Sequence, residues 1–243
     1  MLNKKNVLKI LLAGVAIIAM VVSPIFVSEP MAQPPTGPSV DVSLIEDVWF
    51  PSYDQRQSRS SAVKIEGMAG GHGSGTYIKM GGEYIVLTAR HVVDRADIYY
   101  VVHQDEKVLG QVIWKSEQYD IAALKVPQIK SRKAVSLGNT GPLDVGEQVL
   151  YTGYPSSYQL LTARAYVSGH EPNYRATMLQ GFVWFGYSGS GVFDSKGRVR
   201  GVIVAIGTER FGPNRVPLET LVYCHEMTAD EVSQIRSALR GGS

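Results

Sequence analysis

The hydrophobic and polar positions from residue 62 onward alternate over short stretches, as they do in chains that fold into β-strands. Runs rich in Val, Ile, Leu and Tyr recur, and Gly or charged residues separate them, a pattern typical of strands joined by turns. Strands are predicted at residues 62–68, 74–80, 83–88, 97–103, 108–115 and 121–126, and in a second set at 147–153, 160–168, 174–181, 189–194, 198–206 and 216–223. Each set is large enough for one small antiparallel barrel, so we expect an all-β body.

The hydrophobic spacing becomes helical near the C-terminus. Val232, Ile235 and Leu239 share one face of a helix, and Thr228 is a suitable N-cap. A C-terminal α-helix at about 229–240 is therefore predicted.

The N-terminus combines a basic start with an apolar stretch of membrane-spanning length. Residues 10–27 carry no charge, and three lysines precede them. This pattern predicts one of two segments within residues 1–32. The first is an uncleaved signal anchor, which is a transmembrane helix, and the second is a cleaved signal peptide. The cleavage candidate after Ala32 has Pro30 where a small residue is usual. Both interpretations place the body outside the cytoplasm, either membrane-anchored on the periplasmic or cell-surface side or secreted, because the lysines stay inside.

A Pro-rich and polar linker, residues 33–61, separates the N-terminal segment from the body. Its first part is stiff because proline restricts the backbone, and its last part, residues 51–61, is polar and expected to be exposed. The body is predicted to be one domain with these parts: barrel 1 at about 62–127, barrel 2 at about 143–223 and the C-terminal helix, all within 62–243.

Composition and charge narrow the possible functions. A hydrophobic content of 44% and a charged content of 19% suit a folded body. The net charge of +2 comes from the N-terminal lysines, so the neutral body gives no electrostatic case for binding nucleic acid. Cys224 is the single cysteine, which excludes an intramolecular disulfide; we expect a small buried hydrophobe rather than a nucleophile paired with His225. No motif indicates a cofactor or a metal.

Three motifs carry candidate chemistry. Residues 186–191 read Gly-Tyr-Ser-Gly-Ser-Gly, a loop whose glycines allow a sharp turn that exposes a serine beside backbone N–H groups. His91 lies within Thr-Ala-Arg-His-Val-Val, and Asp120 opens an apolar run. A serine hydroxyl needs a base within hydrogen-bond reach, and an imidazole exchanges protons near neutral pH. The base in turn needs a carboxylate on its second nitrogen.

In this order and setting the motifs resemble the trypsin-like (chymotrypsin-fold) serine peptidases, most closely the disulfide-free bacterial HtrA/Deg and glutamyl-endopeptidase-like branch. The resemblance covers about residues 62–221. It implies two six-stranded barrels with the active site between them, a triad of His91, Asp120 and Ser188, and an oxyanion hole built from the backbone N–H groups of Gly186 and Ser188. The length leaves no room for the PDZ domains of HtrA-type proteins. Those relatives commonly form trimers, so a homo-oligomer is possible.

Each position of the triad has rivals in the sequence. Asp94, three residues after His91, competes with Asp120, and Ser190 and Ser74 compete with Ser188. The motifs favour His91, Asp120 and Ser188. The remaining histidines lack such a setting and are expected to be ordinary surface or turn residues; they are His72, His103, His170 and His225.

Tyr187 departs from the family pattern. Digestive members have Asp before the reactive serine and HtrA-type proteins usually have Asn, whereas this chain has a bulky aromatic residue. Activation through a newly cut N-terminus, which uses that Asp, is not available here. The shape of the oxyanion loop stays open at this point.

Alignment with the family from Ser188 indicates which residues line the substrate pocket, namely Phe182, Val183, Ile203, Val204 and Ala205. Phe182 stands where an Asp would select Lys or Arg, and Ile203 where glutamyl endopeptidases place a substrate-reading His. We therefore expect cleavage after a small or medium apolar residue. Alternatively, Phe182 and Ile203 are barrel core.

Three functional hypotheses follow. The leading one is an exported serine endopeptidase that cuts protein or peptide substrates through an acyl-enzyme on Ser188 and contacts the membrane through its N-terminal segment. The second is a catalytically inactive peptidase-fold protein that binds polypeptides. The third is a self-processing peptidase that cleaves its own precursor once, at a junction within residues 33–61.

Overall fold

The computed structural model describes residues 52–68, 70–138, 141–172 and 175–241. They form two closed antiparallel barrels, with helix α1 (Tyr53–Ser61) before the first and helix α2 (Ala229–Leu239) after the second. Barrel 1 consists of β1 (Ala62–Glu66), β2 (His72–Met80), β3 (Glu83–Thr88), β4 (Ile98–His103), β5 (Glu106–Lys115) and β6 (Ala122–Val126). Barrel 2 consists of β7 (Gln148–Gly153), β8 (Leu161–Glu171), β9 (Ala176–Gly181), β10 (Gly191–Phe193), β11 (Val199–Phe211) and β12 (Asn214–Glu226). The all-β prediction of two six-stranded barrels and a C-terminal helix is confirmed.

The N-terminal segment and most of the linker lie outside the described residues. Within the described ranges, no helix is both long and apolar enough to cross a membrane.

Barrel 1 closes in the strand order β1-β2-β3-β6-β5-β4. The hairpin between β2 and β3 pairs Met80 with Glu83 across Gly81 and Gly82. Both glycines have positive φ, 60° and 89°, as a two-residue type I′ hairpin turn requires, and this requirement favours glycine. The strands predicted at 74–80 and 83–88 are thus joined at this Gly-Gly pair.

Barrel 2 closes in the order β10-β11-β12-β9-β8-β7. Its last hairpin is longer than predicted, because β11 continues to Phe211 and β12 begins at Asn214. The extension pairs residues such as Arg210 with Arg215 and is mostly exposed. An exposed two-stranded ribbon buries neither face, so its sequence lacks the apolar alternation that identifies a strand.

Three apolar clusters form the core. One fills barrel 1 around Tyr77 and Leu124, and one fills barrel 2 around Tyr151 and Val192. The third lies between the barrels and α2 and contains residues from all of these parts: Ile78, Met80, Ile85, Leu87, Ile121, Ala123, Val135, Leu150, Phe193, Val199, Val202, Met227, Val232 and Ile235. This shared cluster joins the two barrels and α2.

Helix α1 corrects the expectation that residues 51–61 are an exposed linker. Gln57, Ser58 and Ser61 are buried, and the helix contacts β7, β2 and β10. The Ser58 hydroxyl donates to Thr152 Oγ1 at 2.6 Å. Polar side chains can be buried when hydrogen bonds satisfy them, and a helix that docks through such side chains has no apolar stripe to reveal it in the sequence.

Helix α2 follows the predicted pattern. The Thr228 hydroxyl accepts from the N–H of Glu231, and the Glu231 carboxylate accepts from the N–H of Thr228, which is a capping box. Val232 and Ile235 are buried in the shared cluster, and Trp114 Nε1 donates to Gln234 at 3.0 Å. The helix is thus fixed against barrel 1.

Candidate active site

His91 and Asp120 are brought together by two neighbouring strands. His91 lies on a single 3₁₀ turn, Arg90–Val92, just after β3, and Asp120 lies just before β6. Strands β3 and β6 pair, with Thr88 opposite Ala122. The end of one strand and the start of the next therefore meet at one edge of barrel 1.

The Asp120 carboxylate binds His91 twice. Oδ2 lies 2.6 Å from His91 Nδ1, and Oδ1 accepts the backbone N–H of His91 at 2.8 Å. Since an ionised carboxylate is only an acceptor, Nδ1 carries a proton, and in the neutral imidazole the lone pair is then on Nε2. The arrangement orients an imidazole as a proton acceptor at Nε2.

The rival Asp94 is engaged elsewhere. Its carboxylate accepts from Arg90 Nε at 3.2 Å and lies 3.8 Å from Lys115 Nζ. These cations hold Asp94 in an ion pair at the surface, while Asp120 occupies the position beside His91.

The loop that carries Ser188 is held between the two barrels. The N–H of Ser74, on β2, donates to the carbonyl of Ser188 at 2.8 Å, and the N–H of Gly189 donates to Ile203 on β11 at 2.8 Å. Gly189 has φ +91°, and a Cβ there would lie 2.0 Å from the Ser74 carbonyl oxygen and 3.1 Å from the N atom of Ala89. The loop therefore packs against the segment that leads into His91, and only glycine fits at the contact.

The backbone N–H groups of the Ser188 loop differ in their hydrogen bonding. The N–H groups of Tyr187, Gly189 and Ser190 donate to backbone carbonyls. In the described ranges, no protein acceptor is found for the N–H groups of Gly186 and Ser188, and no hydrogen bond joins Ser188 Oγ to His91 Nε2. Hydrogen bonds of this kind often tighten only when substrate binds.

The Tyr187 side chain turns away from this surface into barrel 2. It is 1% exposed, and its ring meets Tyr151 edge-on, with centroids 5.4 Å apart, and Phe182 at 6.2 Å. Burial raises the pKa of the Tyr187 phenol to about 12. Tyr187, which departs from the family pattern, is thus part of the barrel 2 core.

The residues expected to line a substrate pocket are divided between core and surface. Val183 and Ile203 are buried in the barrel 2 cluster. Phe182 is 47% exposed, Val204 is half-buried and Ala205 is exposed. Val204 packs against the shared apolar cluster, so Phe182 and Ala205 are the exposed members of this set.

Of the other histidines, His170 is exposed, as expected, but His72, His103 and His225 are not simple surface residues. His103 and His225 are buried, 5% and 4% exposed. His103 Nδ1 bonds the Tyr154 hydroxyl at 2.8 Å, and His225 Nε2 bonds Glu231 at 2.8 Å. His72 is half-buried and bonds the Tyr154 carbonyl at 2.9 Å. Such long-range partners are invisible in the local sequence.

Cys224 is fully buried, as expected, and burial raises the pKa of its thiol. A thiol in such a setting stays protonated and unreactive. Within the described residues, no group of three or more His, Cys, Asp or Glu side chains is placed to hold a metal ion.

Sequence reasoning considered Ser74 only as a rival nucleophile and did not consider Tyr154. The Ser74 hydroxyl accepts the N–H of Tyr154 at 2.9 Å and donates to the carbonyl of Gly186 at 2.6 Å. Ser74 belongs to a Gly-Ser-Gly-Thr motif in the strand before the one that leads to His91. That motif indicates which strand carries Ser74, but it does not reveal the contacts with Tyr154 and Gly186.

Solved structures share this architecture. The serine endoprotease of Yersinia pestis matches with a TM-score of 0.61 and 19% identity, over 78% of this chain and 66% of its own. The inactive form of Rv3671c from M. tuberculosis H37Rv matches with a TM-score of 0.60 and 19% identity, over 88% of this chain and 98% of its own. The HtrA-type protease AlgW, solved with a tripeptide, matches with a TM-score of 0.61 and 19% identity over 78% of this chain and 64% of its own. At these identities the likeness shows the fold.

Curated relatives match over part of their length. The probable periplasmic serine endoprotease DegP-like of Hahella chejuensis is 30% identical over 150 residues, which is 58% of this chain and 31% of that protein. The DegP-like protein of Buchnera aphidicola subsp. Baizongia pistaciae is 29% identical over 144 residues, 56% of this chain and 31% of its own. The serine protease HtrA-like of Staphylococcus aureus strain USA300 is 26% identical over 152 residues, which is 55% of this chain and 20% of that protein. The chain spans less than a third of the length of these relatives.

A family model described as the trypsin-like peptidase domain matches residues 73–202. The match runs from β2 to β11 and includes the His91 turn, Asp120 and the Ser188 loop. The chain therefore belongs to the trypsin-like peptidase family.

Proposed function

We propose that this protein is a serine endopeptidase that hydrolyses peptide bonds through an acyl-enzyme, with His91, Asp120 and Ser188 as the triad. The observation that carries the proposal is the pair of Asp120 contacts to His91, which leaves Nε2 available at the edge of the barrel against which the Ser188 loop packs.

In the proposed reaction, Ser188 Oγ attacks the scissile carbonyl carbon while its proton passes to His91 Nε2. The carbon–nitrogen bond then breaks, and the same proton goes to the leaving amine, which leaves an ester on Ser188. Water attacks that ester with His91 again as base, and the proton returns to Ser188 Oγ as the acid product departs. Asp120 stabilises the imidazolium in both halves.

The N–H groups of Gly186 and Ser188 are the proposed oxyanion hole. Both lack a protein acceptor within the described residues, so they can bind the negative oxygen of the tetrahedral intermediate. In a measured case, removing one such donor lowers turnover by about 10²–10³.

Protein or peptide substrates are proposed to enter beside Phe182 and Ala205, whose exposed apolar surface, next to the half-buried Val204, favours a small or medium apolar residue before the scissile bond. The proposed peptidase domain comprises the two barrels and α2, and α1 docks on it. Residues 1–32 are proposed to be a signal anchor or signal peptide that places this domain outside the cytoplasm, where it is proposed to self-associate.

Labelling with a fluorophosphonate probe tests the proposal. The full chain, Ser188→Ala and Ser190→Ala are compared, because Ser190 lies in the same loop but is buried. Labelling of the wild-type chain and Ser190→Ala but not Ser188→Ala, together with cleavage of a peptide library after apolar residues, supports a peptidase. An unlabelled wild-type chain refutes the proposal and favours the polypeptide-binding alternative; a library cleaved mainly after Arg, Lys or Glu refutes the pocket.

A further inference from the structure

The Ser74 hydroxyl joins two peptide groups of the other barrel. Ser74 is fully buried on β2, donates to the Gly186 carbonyl at 2.6 Å and accepts the Tyr154 N–H at 2.9 Å. A hydroxyl has one proton to donate, and Ser74 donates it to the carbonyl of Gly186, the residue whose N–H is one of the two proposed oxyanion donors. The hydroxyl is thus a bridge from Tyr154, just after β7, to Gly186.

The peptide groups on both sides of Gly186 are held by neighbours. The carbonyl of Gly186 is held by Ser74, and the carbonyl of Phe185 accepts the N–H of Ser156 at 2.7 Å. Because a trans peptide is planar, holding the Phe185 carbonyl directs the Gly186 N–H to the opposite side. Gly186 has φ +103°, and glycine has no side chain to restrict rotation between its two peptides. The Ser156 bond orients the peptide that carries the Gly186 N–H, and the Ser74 bond holds the next peptide in place.

Barrel 1 in turn holds the segment that supplies these bonds. His72 bonds the Tyr154 carbonyl, and His103 bonds the Tyr154 hydroxyl. Ser156 has φ +51°, a conformation that non-glycine residues rarely adopt and that persists when the surroundings enforce it. A Cβ on Gly186 would lie 2.3 Å from the Tyr154 carbonyl oxygen, so the segment and Gly186 are in direct contact.

We propose that Ser74 is a positioning residue for peptide hydrolysis: its hydroxyl holds both the Gly186 carbonyl and the Tyr154 N–H, and so fixes Gly186 against the segment whose Ser156 N–H orients the peptide that carries the Gly186 N–H of the proposed oxyanion hole. The inference rests on the proposed function. It assigns to barrel 1 a part in stabilising the oxyanion, in addition to carrying His91 and Asp120.

Ser74→Ala removes the link without touching any reacting group. We expect kcat to fall by about 10- to 100-fold, less than or equal to the loss of a whole oxyanion donor, while KM stays within about twofold because ground-state binding does not use the oxyanion hole. A peptide aldehyde built on the best-cleaved library peptide forms a tetrahedral adduct with the serine. Its inhibition constant is expected to rise by the same factor as kcat falls.

Ser190→Ala is the matched control. Ser190 is equally buried, and its Oγ lies 2.2 Å from the position that a Cβ on Gly153 would take, which is 2.6 Å from Ser74 Oγ. Its Oγ has no hydrogen-bond partner in the described residues. Ser190→Ala thus removes the same hydroxyl group from the same region without breaking a hydrogen bond. Its kcat is expected to stay within about threefold of the wild-type value.

The outcomes separate the inference from the proposed function. An unlabelled, inactive wild-type chain refutes the peptidase proposal itself. An active wild type with Ser74→Ala unchanged in kcat and in aldehyde inhibition, or with Ser190→Ala equally impaired, overturns the role of Ser74 alone. Ser74→Cys retains the shape of the side chain and a weak donor, and is expected to be intermediate in kcat; it replaces Ser74→Ala if that variant unfolds.

Discussion

The substitution Gly189→Ala adds one methyl group, which we expect to push the Ser188 loop away from His91 and barrel 1. The Cβ of Gly189→Ala would lie 2.0 Å from the Ser74 carbonyl oxygen and 2.2 Å from Thr88 Oγ1, whereas ordinary contacts begin near 3.4 Å. Those two oxygens are hydrogen-bonded to each other at 2.7 Å, so neither can move aside alone. The loop must therefore shift by about 1 Å or more away from β2 and β3.

The loss of folding stability expected for Gly189→Ala has two contributions. An L-residue with φ near +91° costs about 1–2 kcal/mol. The shift also weakens the bonds from the Ser74 N–H to Ser188 and from the Gly189 N–H to Ile203, each contributing about 1 kcal/mol. The sum, about 3–4 kcal/mol, corresponds to a Tm lower by about 6–16 °C for a body of this size. Turnover should fall by about 10²-fold or more, since a misplacement of 1 Å can cost that much.

Gly146→Ala separates the backbone effect from the contact. Gly146 has nearly the same φ, +89°, but a Cβ there meets nothing within 4 Å. We expect it to lose only the backbone share, about 1–2 kcal/mol, and to keep full labelling by the fluorophosphonate. Thermal unfolding and labelling rate measure both variants. Equal losses of stability in the two, with Gly189→Ala still labelled at the wild-type rate, would show that the packing of the loop against β2 has been misjudged.

Three further outcomes are expected. Asp120→Asn should lower kcat by about 10⁴ because the imidazole loses its orienting acceptor, whereas Asp94→Asn should leave it within about threefold; similar losses in steady-state assays of both would exclude Asp120 as the partner. Burial, aided by Arg132, lowers the pKa of His103 from 6.5 to about 4. Only the unfolded chain binds that proton between these values, so stability falls as pH drops from 6.5 to 4, by up to about 3 kcal/mol; urea unfolding of His103→Gln should show a flatter pH profile, and an unchanged profile would assign the loss elsewhere. A chain that begins at Ala62 should be less stable than one that begins at Ser52 by several kcal/mol, because it lacks the buried face of α1; equal Tm values would make α1 dispensable.

Much of the fold was predictable because its signals are local. Strand alternation, the Gly-Gly turn and the capping box at Thr228 each depend on residues within a few positions of one another. The His91, Asp120 and Ser188 motifs could be identified in the same way, since each is local: His91 follows a strand, Asp120 precedes one, and Ser188 lies in a glycine-rich loop.

The parts that were missed depend on burial by distant residues. Helix α1 has no apolar stripe and docks through polar contacts such as that of Ser58 with Thr152. The outer half of the β11–β12 hairpin has no buried face to impose alternation. The choice between core and pocket at Val183 and Ile203 likewise depended on which side of barrel 2 each side chain faces.

The sequence by itself determined the element types, their order and the identity of the chemical groups, because propensity, turn chemistry and motif spacing are written along the chain. Tertiary structure decided which groups meet. It placed Asp120 rather than Asp94 at His91, turned Tyr187 into the core, and joined Ser74, Tyr154 and Gly186. These contacts span tens of residues, and their geometry follows from barrel closure and packing, which no local stretch of sequence encodes.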